Sequence, residues 1–244
     1  MPVQLDEDSP EIWCKLEYLN PSGTTKDYIA RHILEKAWRQ WRVQPGDLVV
    51  EASSGSTSIA LAMTCAQMGL RFLAFIPDTA TSERSLMIQA YGGEVRKVSG
   101  GMPEVIRTAA EFSDDDGVFL ARQFENADNA EAHQLFTAHE IMVQRPDVNI
   151  DGCSKLFADW RETPGAAKLR DVIIDDFRCL ELTHKLWKMS FPVGPSSGLN
   201  LAAAIDTARD LQKDATIVTV FPDRIERYFS HKVFEGLSKA SGTL

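Results

Sequence analysis

The stretch that decides the fold is residues 47–62, which reads Asp-Leu-Val-Val-Glu-Ala-Ser-Ser-Gly-Ser-Thr-Ser-Ile-Ala-Leu-Ala. Its apolar run at 48–51 predicts a short buried strand, and the Ala-, Leu- and Met-rich residues 57–68 predict a helix. A polar loop of small residues lies between them. Short strands that alternate with helices of ten or more residues continue to about Val143. This alternation is typical of a parallel sheet covered on both faces.

The rest of the chain follows the same pattern, with one interruption. Further strands are predicted at residues 71–76, 94–98, 117–121 and 216–221, and further helices at 82–91, 102–112, 129–143, 180–189 and 199–211. The regular pattern fails between 144 and 170. We therefore expect an α/β protein of two lobes with parallel sheets covered by helices. Residues 22–143 would form the first lobe, and residues 1–21 with 144–244 a second, reduced one.

Composition and charge exclude several classes of function. The chain has 244 residues and a formal net charge of −9, so a nucleic-acid partner, which calls for a basic face, is not expected. No apolar run approaches the roughly 20 residues that span a bilayer, and the first residues lack the features of a signal peptide. The four cysteines are scattered without a CxxC pair, which favours reduced thiols over disulfides or a zinc site. These features predict a cytoplasmic protein without a membrane or nucleic-acid partner.

A second polar loop, residues 20–27, reads Asn-Pro-Ser-Gly-Thr-Thr-Lys-Asp and places Lys26 where the loop becomes a helix. The hydroxyl-rich loop at 53–58 precedes a helix in the same way. The start of a helix offers backbone N–H groups and a positive dipole end to anions. One amine beside two such starts suits a site for an anionic cofactor and an amino-acid carboxylate. A lysine at a helix start is also common as a solvated surface residue.

Six ordered blocks of the sequence agree with one family. They include the two loops above and three short motifs: Gln-Phe-Glu-Asn at 123–126, Gly-Pro-Ser-Ser-Gly at 194–198 and Glu-Arg-Tyr-Phe-Ser at 226–230. The sixth block spans residues 77–93. Together the blocks resemble the fold-type II pyridoxal-phosphate enzymes, specifically the cysteine synthase and cystathionine β-synthase group. The resemblance covers about residues 1–141 and 171–236, and it implies a two-lobed fold like that of the tryptophan synthase β subunit.

The resemblance implies a role for each candidate site residue. Lys26 would attach the cofactor aldehyde through its amine and later remove the substrate's α-proton; both steps need a neutral amine, which burial favours. Ser196 would face the pyridine nitrogen of pyridoxal 5'-phosphate, and Ser56 stands where the family has an Asn beside the ring oxygen. The residues implied to hold the substrate carboxylate are Ser53, Ser54, Gly55, Thr57 and Gln123.

The activity implied is β-elimination or β-replacement on serine, O-acetylserine or cysteine. The sequence does not choose among these donors or among the nucleophiles. The family is usually dimeric, so a homodimer or an assembly with a related subunit is expected. Trp38 and Trp41 share one face of a predicted helix and belong either to a core or to a dimer contact.

One departure from the family concerns the cofactor phosphate. Family members carry a Gly-Thr-Gly-Gly-Thr loop whose N–H groups hold it, and nothing between Met142 and Gly194 resembles that loop. Losing three charge-assisted hydrogen bonds would weaken binding by about 5–9 kcal/mol, or roughly three to six powers of ten. Stable retention of the cofactor therefore depends on replacements. The candidates are residues 163–168, Lys155, Lys168 or a partner subunit.

Two alternatives to an active enzyme stay open at this point. The chain could be a catalytically degenerate relative that serves as a binding or regulatory subunit, or a sequence that has lost an internal piece. Two residues also have plain structural interpretations. Ser196, with its neighbour Ser197, could cap the following helix, and His133 is expected to be helix scaffolding.

Overall fold

The computed structural model describes residues 2–3, 10–112, 117–147 and 172–234. The chain divides into two compact units. We call Lys26–Ala167 the central unit, and Met1–Thr25 together with Lys168–Leu244 the split unit. Residues 155 and 163–168, named above as replacements for the phosphate loop, lie outside the described residues.

The central unit contains the predicted parallel sheet. Its strands are β3 (Leu48–Ala52), β4 (Arg71–Pro77), β5 (Glu94–Val98) and β6 (Val118–Leu120), in the order β5-β4-β3-β6. All three pairings are parallel, as in Val49 opposite Phe72 and Phe119. The α/β fold class expected from the alternation of strands and helices is therefore confirmed.

Helices cover both faces of this sheet. The helices are α1 (Lys26–Arg39), α2 (Ser56–Met68), α3 (Ser82–Ala90), α4 (Met102–Ala110), α5 (Ala127–Ala132) and α6 (His139–Gln144). Successive strand residues point to opposite faces, so Val49 packs in the cluster formed with α1 and α2. Val50 packs with Val105 and Ala109 of α4 on the other face. Burial on both faces explains why β4 is an almost continuous apolar run.

The helix predicted at 129–143 is not continuous. A π-helical turn, His133–Ala138, separates α5 from α6. Phe136 in this turn stacks on Tyr28 with ring centroids 5.7 Å apart, and the Tyr28 hydroxyl donates to Glu140 at 2.7 Å. The wider turn lies where the chain packs against α1. Such turns recur at functional sites, and periodicity alone does not reveal them.

The split unit has a smaller, mixed sheet. Strand β2 (Glu11–Leu16) pairs in parallel with β7 (Thr216–Phe221), whereas β1 (Pro2–Val3) pairs with β2 in the antiparallel sense. Helices α7 (Asp176–Lys188) and α8 (Pro195–Arg209) pack on each other. Ile12, Leu186 and Phe221 are buried between these elements. In the described residues this sheet has three strands.

Helix α8 begins earlier than predicted. The Gly-Pro-Ser-Ser-Gly turn is its first turn, because Pro195 occupies the first helical position, where its missing N–H costs nothing. Helix α7 passes very close at this point. A Cβ added to Gly198 would lie 2.3 Å from the Cys179 carbonyl oxygen and 2.8 Å from the Thr183 backbone nitrogen.

Gly198→Ala is therefore expected to destabilise the protein by about 3 kcal/mol or more, because backbone rather than a flexible side chain must move. Urea unfolding monitored by far-ultraviolet circular dichroism measures this change. Leu199→Ala, at the exposed neighbouring position, is the control and should change the free energy of unfolding by less than about 1 kcal/mol. Equal stability of the two variants would contradict the close helix contact.

Candidate active site

Two of the predicted site segments follow neighbouring strands of the central sheet. Strand order turns at β3, which has β4 on one side and β6 on the other. Ligands of open α/β sheets bind beyond the carboxyl ends of the strands at such a switch point. The loop that starts at Ser53 follows β3, and Gln123 follows β6. The topology therefore brings together two segments that lie 66 residues apart in sequence.

The loop after β3 is stabilised by the hydroxyl of Ser53. This buried oxygen accepts hydrogen bonds from the backbone N–H groups of Gly55 and Ser58, at 3.0 and 3.2 Å, and lies 2.7 Å from the Ser58 Oγ. Gly55 has φ 131°, and an added Cβ there would lie 2.4 Å from the Arg84 Cδ. Ser53 and Gly55 thus shape the loop, and only glycine fits at position 55.

The start of α2 leaves backbone donors for a ligand. The N–H groups of Ser58 and Ile59 are used by Ser53 Oγ and the Gly55 carbonyl. Among the described residues, the N–H groups of Ser56 and Thr57 have no acceptor. The side chain of Ser54 is exposed beside them. A helix start with unused N–H groups is suited to a carboxylate or another anion.

The side-chain amide of Gln123 is fully engaged within the central unit. Its Nε2 donates to the Ala52 carbonyl oxygen at 2.9 Å and to Glu51 Oε1 at 3.3 Å. Its Oε1 accepts from the Thr57 hydroxyl at 2.5 Å. The amide hydrogens that were expected to reach a substrate carboxylate are therefore directed at the protein. Gln123 connects the end of β3 to the first turn of α2.

Glu51 is a residue that the sequence analysis did not select. Its side chain is 2 % exposed, and it accepts hydrogen bonds from both the backbone and the side chain of Gln123. Burial raises the pKa of this carboxyl from 4.5 to about 8, although the hydrogen bonds from Gln123 act in the opposite direction. The available signal was one acidic residue at the end of an otherwise apolar strand, which is unusual for a fully buried position.

Lys26 is the first residue of α1 and is half-buried. His133, at the start of the π-helical turn, lies close enough for their charges to interact. Burial, and then the positive charge of Lys26, lower the pKa of His133 from 6.5 to about 4. The Nδ1 of His133 lies 2.9 Å from the Thr137 hydroxyl. The imidazole beside the lysine is therefore neutral at neutral pH.

The other segments predicted to form the site belong to the split unit. In the loop before Lys26, Asn20 Nδ2 donates to the Thr24 carbonyl oxygen at 3.0 Å. The Thr25 N–H donates to the Pro222 carbonyl oxygen at 2.8 Å. Ser196 is exposed in the first turn of α8, so its hydroxyl is accessible. Neighbouring Ser197 is fully buried, and its hydroxyl has no hydrogen-bond partner among the described residues.

Within the described ranges, no group of three or more His, Cys, Asp or Glu side chains is placed to hold a metal ion. In the same residues, no helix has the length and apolar character needed to cross a bilayer.

A parallel sheet with a helix-entry loop at its switch point, and a lysine at the start of α1, define the central unit as an α/β fold suited to binding a small anionic ligand. Residues 3–154 match the family model described as pyridoxal-phosphate dependent enzyme. The chain is also 30% identical over 282 residues to a cysteine synthase of Staphylococcus aureus (strain Mu50), covering 94% of this chain and 91% of that protein. It therefore belongs to the pyridoxal-phosphate dependent enzyme family, as the sequence blocks predicted.

Two further relatives are similar over most of their length. Cysteine synthase B of Escherichia coli (strain K12) is 38% identical over 282 residues, covering 97% of this chain and 93% of that protein. The crystal structure of a lysine-to-alanine variant of O-ureido-L-serine synthase, with O-ureido-L-serine bound, superposes with a TM-score of 0.83 at 25% identity. That match covers 93% of this chain and 87% of the other.

The alignments also show that this chain is short. At least 38 of the 282 positions aligned with the Staphylococcus aureus protein have no residue here, since the chain has 244 in all. The described residues fit two parts of the cofactor named by the family. In the central unit, half-buried Lys26 carries the kind of amine that would take its aldehyde. In the split unit, exposed Ser196 carries the kind of hydroxyl that suits a ring nitrogen. The sequence contains no Gly-Thr-Gly-Gly-Thr segment for the phosphate.

Proposed function

We propose that this protein catalyses pyridoxal-phosphate-dependent β-replacement or β-elimination on serine, O-acetylserine or cysteine. One observation carries this proposal: Lys26 begins α1 beside a neutral imidazole, in a chain whose relatives include cysteine synthases. A neutral imidazole beside the lysine adds no charge of its own to the site.

Lys26 is assigned two functions. Its Nζ would hold the cofactor covalently, and the same Nζ would accept the α-proton of the bound substrate. The bound cofactor supplies an electron-withdrawing ring that stabilises negative charge at the α-carbon. Ser196 at the ring nitrogen, and Ser56 beside the ring oxygen, would set its position and electron demand. A serine at the nitrogen, rather than an acid, favours β-chemistry over transamination.

The substrate carboxylate is assigned to the start of α2. The N–H groups of Ser56 and Thr57 and the hydroxyl of Ser54 are the donors, with the helix dipole adding to the attraction. Ser53 and Gly55 maintain the shape of this loop. Gln123 contributes by holding the Thr57 hydroxyl at 2.5 Å. With its amide bonded to Thr57, Glu51 and Ala52, Gln123 would therefore orient Thr57 and would not contact the substrate itself.

The competing interpretation, a degenerate binding subunit, is not favoured by the comparisons, since the relatives named above are enzymes. We further propose a homodimer in a cytoplasmic setting. Trp38, in the last turn of α1, is 40% exposed. Trp41 lies beyond the end of that helix, with φ 59°, and not on its face as predicted; it is 82% exposed. Both side chains suit a contact between subunits. The described cysteines, Cys14, Cys65 and Cys179, are free thiols, as expected in a reducing compartment.

Purified protein supplied with O-acetylserine and sulfide is expected to form cysteine and acetate. The rate should rise as pyridoxal phosphate is added, because the usual phosphate loop is missing and affinity for the cofactor is expected to be low. Amino-acid analysis by mass spectrometry measures the product, and parallel reactions with serine or cysteine as donor identify the preferred substrate. Absence of product from all three donors in excess cofactor, together with thermal stabilisation by an amino acid, would support the binding subunit instead.

A further inference from the structure

One segment of the split unit, residues 222–228, is hydrogen-bonded to two separate loops. On one side it pairs with the loop before Lys26: Thr25 N–H donates to the Pro222 carbonyl at 2.8 Å, and Arg224 N–H to the Gly23 carbonyl at 3.1 Å. These bonds flank an antiparallel bridge between Thr24 and Asp223. The loop before Lys26 is thus held by a segment almost two hundred residues later in the chain.

On its other side the same segment pairs with the loop that leads to Ser196. Gly194 N–H donates to the Asp223 carbonyl at 2.9 Å, and Ile225 N–H to the Pro192 carbonyl at 3.0 Å. The approach is very close: a Cβ added to Gly194 would lie 2.4 Å from Asp223 Oδ1 and 2.5 Å from Tyr228 Cε2. The Tyr228 hydroxyl donates to Asp223 Oδ2 at 2.6 Å and fixes that carboxylate. Both loops therefore depend on one segment.

Arg227 is the charged residue of this segment that is completely buried, with 0% exposure. Its Nη1 donates to the Gly23 carbonyl oxygen at 2.8 Å, and its Nη2 donates to that of Ser22. The two partners lie 204 and 205 residues away in sequence. Burying a charged guanidinium costs free energy of solvation. Such burial is therefore tolerated only where the N–H donors of the guanidinium meet well-placed acceptors. A planar fork of two nitrogens fixes two successive carbonyls at once.

We propose that Arg227 is a positioning residue for Lys26. Its guanidinium holds the backbone of residues 22–23, and the bridge at Thr24 holds the residues that immediately precede Lys26 in the chain. The consequence for Lys26 rests on the proposed function, since it concerns the lysine that would hold the cofactor. Arg227 itself touches neither substrate nor cofactor in this assignment.

The test uses Arg227→Met, which removes the fork, and Arg227→Lys, which keeps the charge but reaches one carbonyl. Hydrogen–deuterium exchange of the full-length variants reports on residues 22–25 without any cofactor. Arg227→Met is expected to raise exchange there about 10- to 100-fold, as follows from losing charge-assisted bonds in a locally opening segment. Arg227→Lys should give an intermediate value. Leu201→Ala, a core change in the same unit, controls for general destabilisation.

A second measurement reads Lys26 directly. Pyridoxal phosphate is added, borohydride fixes any lysine adduct, and peptide mass spectrometry gives the rate at Lys26 relative to exposed Lys188. Arg227→Met is expected to slow labelling at Lys26 about tenfold across the pH profile, and Arg227→Lys to restore part of it, while Leu201→Ala leaves it unchanged. If folded Arg227→Met shows unchanged exchange and unchanged labelling, the positioning role is wrong. A different outcome is faster exchange in Arg227→Met together with no labelling of Lys26 even in the unaltered protein. It would support the hold of Arg227 on residues 22–23 and overturn the proposed function.

Discussion

Lys26→Ala is expected to lose at least about 1,000-fold in the rate of cysteine formation and to take up no borohydride-fixed cofactor at position 26. The reason is that, in the proposed mechanism, one amine serves as both the covalent anchor and the base for the α-proton, and a positioned base alone contributes about 10²–10⁴-fold. Lys26 is half-buried at the start of a 14-residue helix, so its truncation should leave the fold intact. Initial rates and peptide mass spectrometry, with circular dichroism as the folding check, measure the effect.

Lys188→Ala, at an exposed position of α7, is the matched control and should keep full activity. A cofactor-free readout is available as well. Because the positive charge of Lys26 contributes to the low pKa of His133, about 4, this pKa should rise in Lys26→Ala when titrated by nuclear magnetic resonance. A rise would confirm that the two side chains are neighbours. Full activity of Lys26→Ala would rule out the mechanism.

Glu51→Gln is expected to destabilise the protein at low pH and to stabilise it at high pH. Since the pKa of Glu51 is raised from 4.5 to about 8, the folded protein binds more protons than the unfolded chain between these values. The unaltered protein should therefore lose free energy of unfolding as pH rises from about 4.5 to 8, by up to a few kcal/mol at about 1.4 kcal/mol per pKa unit. Glutamine removes this loss but also one hydrogen bond from Gln123, worth about 1 kcal/mol.

The variant should thus be slightly less stable than the unaltered protein near pH 5 and more stable near pH 9. Urea unfolding at both pH values measures the difference, which isolates Glu51 from the other titrating groups. Glu94→Gln, exposed on β5 of the same sheet, should show no such reversal. Parallel stability curves for Glu51→Gln and the unaltered protein would mean that Glu51 is ionised in the fold.

Strands β3 and β4 of the central sheet could be predicted well from the sequence because both of their faces are buried. Residues 94–98 and 216–221 match β5 and β7 as observed, and 48–51 misses only the last residue of β3. Helix interruptions were harder to predict. The π-helical turn depends on the contact of Phe136 with Tyr28 of a distant helix, and the early start of α8 depends on a proline that looked like part of a turn.

The candidate site divides in the same way. The family blocks indicated Lys26, Ser196 and the loop at 53–57, because these short motifs carry their own local hydrogen bonds and helix starts. The direction of the Gln123 amide, the buried Glu51 and the fully buried Arg227 were not predicted. Their hydrogen-bond partners lie 66 to 205 residues away, and a pattern of neighbouring residues contains no information on which acceptor such a side chain will meet.

By itself, then, the sequence determined the alternation of strands and helices, the family, and the lysine and loops that define the chemistry. The alternation follows from side-chain periodicity, whereas the family, with the lysine and loops that it implies, follows from the resemblance of short motifs. Only the tertiary structure decided how those loops are held. The polar groups that hold them are buried, and whether a buried donor, acceptor or charge is stabilised depends on partners that folding brings from far along the chain.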